Sequence, residues 1–168
     1  QSLYLGRGYA DVSVESTYAI DETTNLLDLT YTISEGIQSK IGEISFEGNA
    51  KVGSSVLQKE ISTKVQSLFN SGNYEAAKVA ADSRALLLAY QKRGDIDAKV
   101  TGVRLDPIED DNESVKKLRL TFVIEEGDQW FFGGIAVEGN SVYDDERIQG
   151  LLTMKAGSVL DISKVQSE

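Results

Sequence analysis

The sequence has no cysteine and no histidine. Without cysteine no disulfide can support the fold, and the redox compartment leaves no mark on the chain. Without histidine the commonest general base and metal ligand are both missing. Proline occurs once, and 40% of the residues are hydrophobic, which suits a folded chain rather than a disordered one. The longest apolar run, Ala85 to Tyr90, is far too short to cross a bilayer. No basic stretch precedes an apolar one at the start, so any targeting signal is expected outside these residues. Basic residues are in deficit, 17 against 27 acidic, for a net charge of −10. That balance excludes the basic footprint a nucleic-acid partner requires. No paired-carboxylate, nucleophile–base, P-loop or metal-ligand arrangement emerges, so neither enzyme nor cofactor is supported.

What the chain has is repetition. Leu27 to Asn49 (LDLTYTISEGIQSKIGEISFEGN) returns as Leu118 to Asn140 (LRLTFVIEEGDQWFFGGIAVEGN), with Gly36 matching Gly127 and Gly48 matching Gly139, an offset of 91. Alternating apolar positions, Leu27, Leu29, Tyr31 and Ile33 in one copy and Leu118, Leu120, Phe122 and Ile124 in the other, mark half-buried strands. Each ends at Glu-Gly, and a second strand (Ile41 to Glu47; Phe132 to Glu138) then runs into Gly-Asn, a turn pair that tolerates positive φ. A second offset, 86, relates Tyr4-x-x-Arg7-Gly8 to Tyr90-x-x-Arg93-Gly94. Gly8 and Gly94 sit where glycine closes a helix. The five-residue difference places an insertion in the loop of Lys64 to Asn73, which carries the apolar pair Leu68-Phe69.

In order, the chain reads as a helix end (1–7), a strand from Tyr9 to Tyr18, a polar connection and a strand from Leu26 to Ser34. The strand Ile41 to Glu47 follows, then a helix capped by Ser54 or Ser55 with Leu57 and Ile61 inward. A long helix spans Tyr74 to Arg93, with Tyr74, Ala77, Ala81, Leu86 or Leu87 and Tyr90 near one face. A strand from Ile96 to Leu105 follows, its parity slipping at Gly102 as in a β-bulge. An acidic loop, Asp106 to Ser114, precedes the repeat strand. One unit is thus strand, helix, helix, strand, strand. The chain holds the back half of one unit (1–36), a complete unit (37–127) and the front half of a third (128–168).

That order, with Tyr90-Gln-Lys-Arg-Gly94 and Tyr4-Leu-Gly-Arg-Gly8 closing helices and Glu47-Gly-Asn49 and Glu138-Gly-Asn140 bracketing units, resembles the POTRA (polypeptide-transport-associated) domain. Two departures stand out: Gly94-Asp95 lacks the family's usual Gly-Tyr, which Gly8-Tyr9 keeps, and the loop between the helices is long. The resemblance implies an α+β fold of tandem β-α-α-β-β domains, each a three-stranded mixed sheet packed on two helices. It also implies the periplasmic arm of an outer-membrane β-barrel assembly factor, attached to the outer membrane through a C-terminal membrane β-barrel of the same chain. The implied partners are unfolded outer-membrane proteins and accessory assembly lipoproteins. The alternatives are a two-partner secretion or autotransporter-assembly transporter and a cell-division envelope module.

The resemblance places the second strand of each sheet at an edge, so Ile96, Asp97, Ala98, Lys99, Val100 and Thr101 are the expected polypeptide-binding strand. An edge protected by the bulge, Lys99 and Arg104 is the competing reading. Gly36, Ile37, Gly127, Gln129 and Trp130 mark the junctions between domains, where a short linker favours interface packing of Trp130. Arg93-Gly94-Asp95 reads as a helix stop rather than an adhesion tripeptide. The acidic loop lacks calcium-loop spacing, and Asn112-Glu113-Ser114 matches the glycosylation pattern by chance. The two half-units are expected to complement each other head to tail between copies, or to pack on the complete domain.

Overall fold

The computed structural model describes residues 1–109 and 114–165. Residues 110–113 of the acidic loop, with Asn112 and Glu113 of the glycosylation pattern, and residues 166–168 lie outside the described residues. The elements in order are α1 (Ser2–Leu5), β1 (Ser13–Asp21), β2 (Leu26–Ser34), β3 (Gln38–Glu47), α2 (Ser54–Glu60), α3 (Ala76–Gln91), β4 (Lys99–Pro107), β5 (Val115–Glu125), α4 (Asp145–Gln149) and α5 (Ile162–Val165). The fold is α+β, with a mixed three-stranded sheet in the order β3-β5-β4 and a separate antiparallel pair, β1-β2. The strand carrying the repeat, β5, is central and β4 lies at an edge, as the resemblance implies.

Several boundaries move, each for a local reason. The strand expected from Tyr9 starts at Ser13, because the Tyr9 amide donates to the Tyr4 carbonyl (3.1 Å) and closes α1. It then continues through Asp21, whose carboxylate accepts from the Thr23 amide (2.9 Å) and the hydroxyls of Thr23 (2.6 Å) and Thr24 (2.8 Å). These donors hold the Asp21 carboxyl down at about 2 and shape the turn in which Asn25 takes φ 54°. Neither serine caps α2: its N-cap is Gly53, and Ser54 Oγ accepts from Asn49 Nδ2 (3.1 Å).

The buried face of α3 is rotated from the expected one. Val79, Asp82, Leu86, Ala89 and Tyr90 are buried, while Ala77 and Ala81 are exposed. Asp82 is tolerated inside because it accepts from the Ser62 amide (2.7 Å) and hydroxyl (2.8 Å) and ties down the chain leaving α2. In β4 the burial parity slips at Val103–Arg104, just past Gly102, with Val103 exposed.

The chain divides into two compact units, residues 1–45, 63–80 and 104–121, and residues 46–62, 81–103 and 122–168. Each unit contains one passage between repeats, so they do not follow the repeat boundaries. The first has a core of Val12, Ile41, Val79, Leu118 and Leu120. The second buries Val52, Leu57, Ile61, Leu86, Ala89, Tyr90, Ala98, Phe122, Ile124 and Met154, with Phe46 stacked on Phe122 at 5.7 Å. Among the described residues no helix is long and apolar enough to cross a membrane.

Candidate functional site

The passage from one repeat to the next is made twice with the same hydrogen bonds. In the first unit the Ser39 amide donates to the Gly8 carbonyl (2.7 Å), Tyr74 donates to the Ser39 carbonyl (3.0 Å) and Ile41 donates to Gly72 (2.7 Å). In the second, Trp130 donates to Gly94 (2.8 Å), Leu160 to Trp130 (3.0 Å) and Phe132 to Ser158 (2.8 Å). The side chains repeat as well: Gln38 Nε2 donates to the Arg7 carbonyl (2.8 Å), and Gln129 Nε2 to that of Arg93 (2.9 Å). Both helix ends close identically, by Tyr9 to Tyr4 and by Asp95 to Tyr90, each 3.1 Å. Gly8 (φ 88°) and Gly94 (φ 85°) are required on two grounds. Their backbone is left-handed, and a Cβ would stand 2.8 Å from the Ser39 carbonyl oxygen or 2.7 Å from that of Trp130.

Trp130 adds a contact particular to the second passage, its indole N–H donating to Asp97 Oδ2 (2.8 Å) while the ring is half exposed. Gly36 and Gly127 turn the chain with φ 73° and 69°, and Ile37 is half exposed beside its glycine. The extra residues of the long loop are located by the same correspondence. Ile41 is bracketed by Gln66 and Gly72, and Phe132 by Gly157 and Ser158. The insertion is therefore 67–71, a tight Ser67–Asn70 turn with Leu68 and Phe69 almost wholly in solvent.

A buried carboxylate holds the second unit together. Glu126 follows directly on β5 and accepts from the Lys51 amide (2.8 and 2.9 Å), the Val52 amide (3.1 Å) and the Tyr90 hydroxyl (2.9 Å). The strand end is thus bonded to the Gly-Asn loop and to the last turn of α3. Lys51 Nζ extends the cluster to Asp95 Oδ1 (2.8 Å) and the Gly127 carbonyl (2.6 Å), and the Asp95 bond raises the lysine's pKa. Asp95 is only 2% exposed, so Arg93-Gly94-Asp95 is not presented for adhesion. Burial, then the bond to Glu126, pushes the Tyr90 phenol well above its ordinary range. Tyr4 and Glu35 occupy the corresponding positions and are also hydrogen-bonded, which raises the Tyr4 phenol.

The expected binding strand is present in part. Lys99, Val100 and Thr101 open β4, which among the described residues has β5 as its one strand neighbour. Ile96, Asp97 and Ala98 precede it. The Ala98 amide donates back to the Asp95 carbonyl (3.2 Å), keeping these residues in a turn, with Asp97 engaged by Trp130. The other edge, β3, is covered at its start by Gly8, Gln66, Gly72 and Tyr74. β4 is therefore the more open side of the sheet. Of the site residues that sequence reasoning passed over, Glu126 and Gln38 were detectable as identities shared at the 91-residue offset (Glu35/Glu126, Gln38/Gln129), whereas Lys51 was not, because Val142 stands at its counterpart.

One β-α-α-β-β module, β3 to β5, is entered and left through the same hydrogen-bonded junction. The chain belongs to the POTRA family, described as surface antigen variable number repeat, whose match covers residues 39–127. It is 33% identical over 95% of its length to a putative outer membrane protein assembly factor of Treponema pallidum. It is 29% identical over 92% of its length to the outer membrane protein assembly factor BamA of Neisseria meningitidis. It spans 19% of each of these relatives. A crystal structure of POTRA domains 3 to 5 of Haemophilus influenzae BamA superposes with a TM-score of 0.53 at 20% identity, over 98% of this chain and 61% of that one, a likeness of fold.

Two results are expected. Gln129→Ala with Trp130→Ala should speed amide exchange at position 130 and at Leu160 while leaving Leu120 protected; unchanged exchange at both would contradict the junction's role. For Glu126, burial alone would raise the carboxyl, but the Lys51, Val52 and Ala50 amides and the Tyr90 hydroxyl outweigh it and hold the pKa below its ordinary 4.5. The unfolded chain therefore takes up the proton first as pH falls. The stabilisation is fully present above about pH 4.5 and lost as pH drops through the lower folded value. Glu126→Gln should cost about 1–3 kcal/mol at neutral pH and flatten the acid limb of stability in urea titrations.

Proposed function

We propose that this chain is the periplasmic POTRA region of an outer-membrane protein assembly factor, receiving unfolded outer-membrane polypeptides on the open edge of β4. In this reading residues 37–127 form one complete domain, flanked by the half-domains 1–36 and 128–168. The longer protein would continue into a C-terminal membrane β-barrel, and accessory lipoproteins would dock on the array. The observation that carries the reading is the free side of β4 in a β3-β5-β4 sheet. The names borne by the related proteins give it its setting.

The mechanism follows from backbone chemistry. An extended segment laid beside Lys99 to Thr101 gains main-chain hydrogen bonds irrespective of its sequence, so binding is weak and tolerant. Such a contact suits a protein that must pass many different strands onward.

Proline at Val100 or at Thr101 tests the reading, since neighbouring residues of a strand direct their amides to opposite sides and one of the two loses an outward donor. The outward-facing variant should lower crosslinking to unfolded barrel peptides severalfold with the thermal transition preserved. Unchanged crosslinking in both variants would refute the edge as the receiving site.

A further inference from the structure

The insertion at residues 67–71 serves neither the junction nor a core. Leu68 and Phe69 at its tip are 97% and 98% exposed, the most exposed large apolar side chains among the described residues. One exposed apolar residue is ordinary, but two adjacent ones at the tip of a turn mark a contact surface. The tip is also ordered in advance. The Ser67 amide donates to the Asn70 carbonyl (2.9 Å) and the Asn70 amide to that of Ser67 (3.3 Å). The Phe69 amide donates to Ser67 Oγ (3.4 Å) and the Gly72 amide to Asn70 Oδ1 (2.9 Å). At the base, the Gln66 amide donates to the Ile41 carbonyl and the Ile41 amide to that of Gly72, each at 2.7 Å. Gly72 is left-handed (φ 61°), and a Cβ there would collide with the Gln66 amide nitrogen.

Area, backbone and charge all select a lipid bilayer over a protein cleft. Two side chains offer far less than the roughly 800 Å² per partner that a stable protein interface buries. A bilayer asks for no complementary shape, and both side chains gain simply by leaving water. The amides of Ser67, Phe69, Asn70 and Gly72 already donate within the loop, which is the condition that hydrocarbon imposes on a backbone. Residues 65–74 carry no charge, and no acidic residue lies between Glu60 and Glu75 in a chain that has 27 of them. The nearest charges at the base are cations: Lys64 leads into the loop, and Lys40 pairs with Asn73 across an isolated bridge. Lysines at that level suit phosphate headgroups.

We infer that Leu68 and Phe69 form a wedge that enters a lipid bilayer to the boundary between headgroups and acyl chains, holding the loop against the membrane surface. Two side chains bind weakly by themselves, so the wedge acts where the chain is already anchored beside a membrane and its effective concentration is high. That anchoring rests on the assembly-factor reading above, whereas the wedge makes no use of β4.

The chain has neither cysteine nor histidine, so a single thiol label and a terminal histidine tag are both unambiguous. The test tethers the chain by a C-terminal histidine tag to phosphatidylcholine vesicles that contain a nickel-chelating lipid. An environment-sensitive dye on Ser71→Cys, beside the tip, should brighten severalfold on tethering and be quenched by bromine carried on the acyl chains. The same dye on Gln58→Cys, at an exposed position of α2, should do neither. Adding Leu68→Ser and Phe69→Ser to the Ser71→Cys chain should lower the inserted fraction about tenfold or more. The thermal transition should stay where it was, since neither side chain packs in a core. A dye at position 71 that remains in water on the vesicles would overturn the inference and leave a protein cleft as the tip's partner. Quenching that survives the loss of both apolar residues would overturn it as well. Neither result would alter crosslinking of unfolded peptides at β4, so the two readings fail separately.

Discussion

The second unit depends on one buried carboxylate. Glu126 is placed at the end of β5, where its oxygens meet two amides of the loop after β3 and the hydroxyl that ends α3. A lone buried carboxylate would be costly, and these donors make it favourable. The geometry also explains the neighbouring sequence. Gly127 must turn the chain immediately afterwards, and Gly48 must let the Ile124 carbonyl approach. Glu-Gly and Gly-Asn, which read as separate turn signals, are the two sides of one contact.

The junction builds on that contact. Once Tyr90 is fixed, the helix closes through Gly94, and the Gly94 carbonyl becomes the acceptor for Trp130. The same bonds at Gly8 and Ser39 form the first passage. Short linkers then act as hydrogen-bonded splices rather than tethers. This leaves β4 as the strand side that neither splice covers, which links the architecture to the proposed capture of extended chains.

Much of this was legible in the residues. The two offsets placed β2, β5, the stopping glycines and the insertion, because strand parity and glycine chemistry are local signals. The alanine-rich α3 misled: Ala77 and Ala81 suit a helix on either face, whereas Asp82 faces inward only because Ser62 is there to donate to it. The start of β4 failed for a similar reason. Ile96 and Ala98 alternate as a strand should, but the Asp95 carbonyl and the Trp130 indole hold that stretch in a turn. Such partners lie 20 or more residues away or depend on backbone direction, and hydrophobic periodicity encodes neither.

The claim that Glu126 and its donors act as one unit is most directly tested by a double-mutant cycle on Tyr90→Phe and Glu126→Gln, with stabilities from urea unfolding. If the hydroxyl and the carboxylate stabilise one another, the double variant should lose about 1 kcal/mol less than the sum of the single losses. Losses that simply add would show that the two groups contribute separately and would contradict the account.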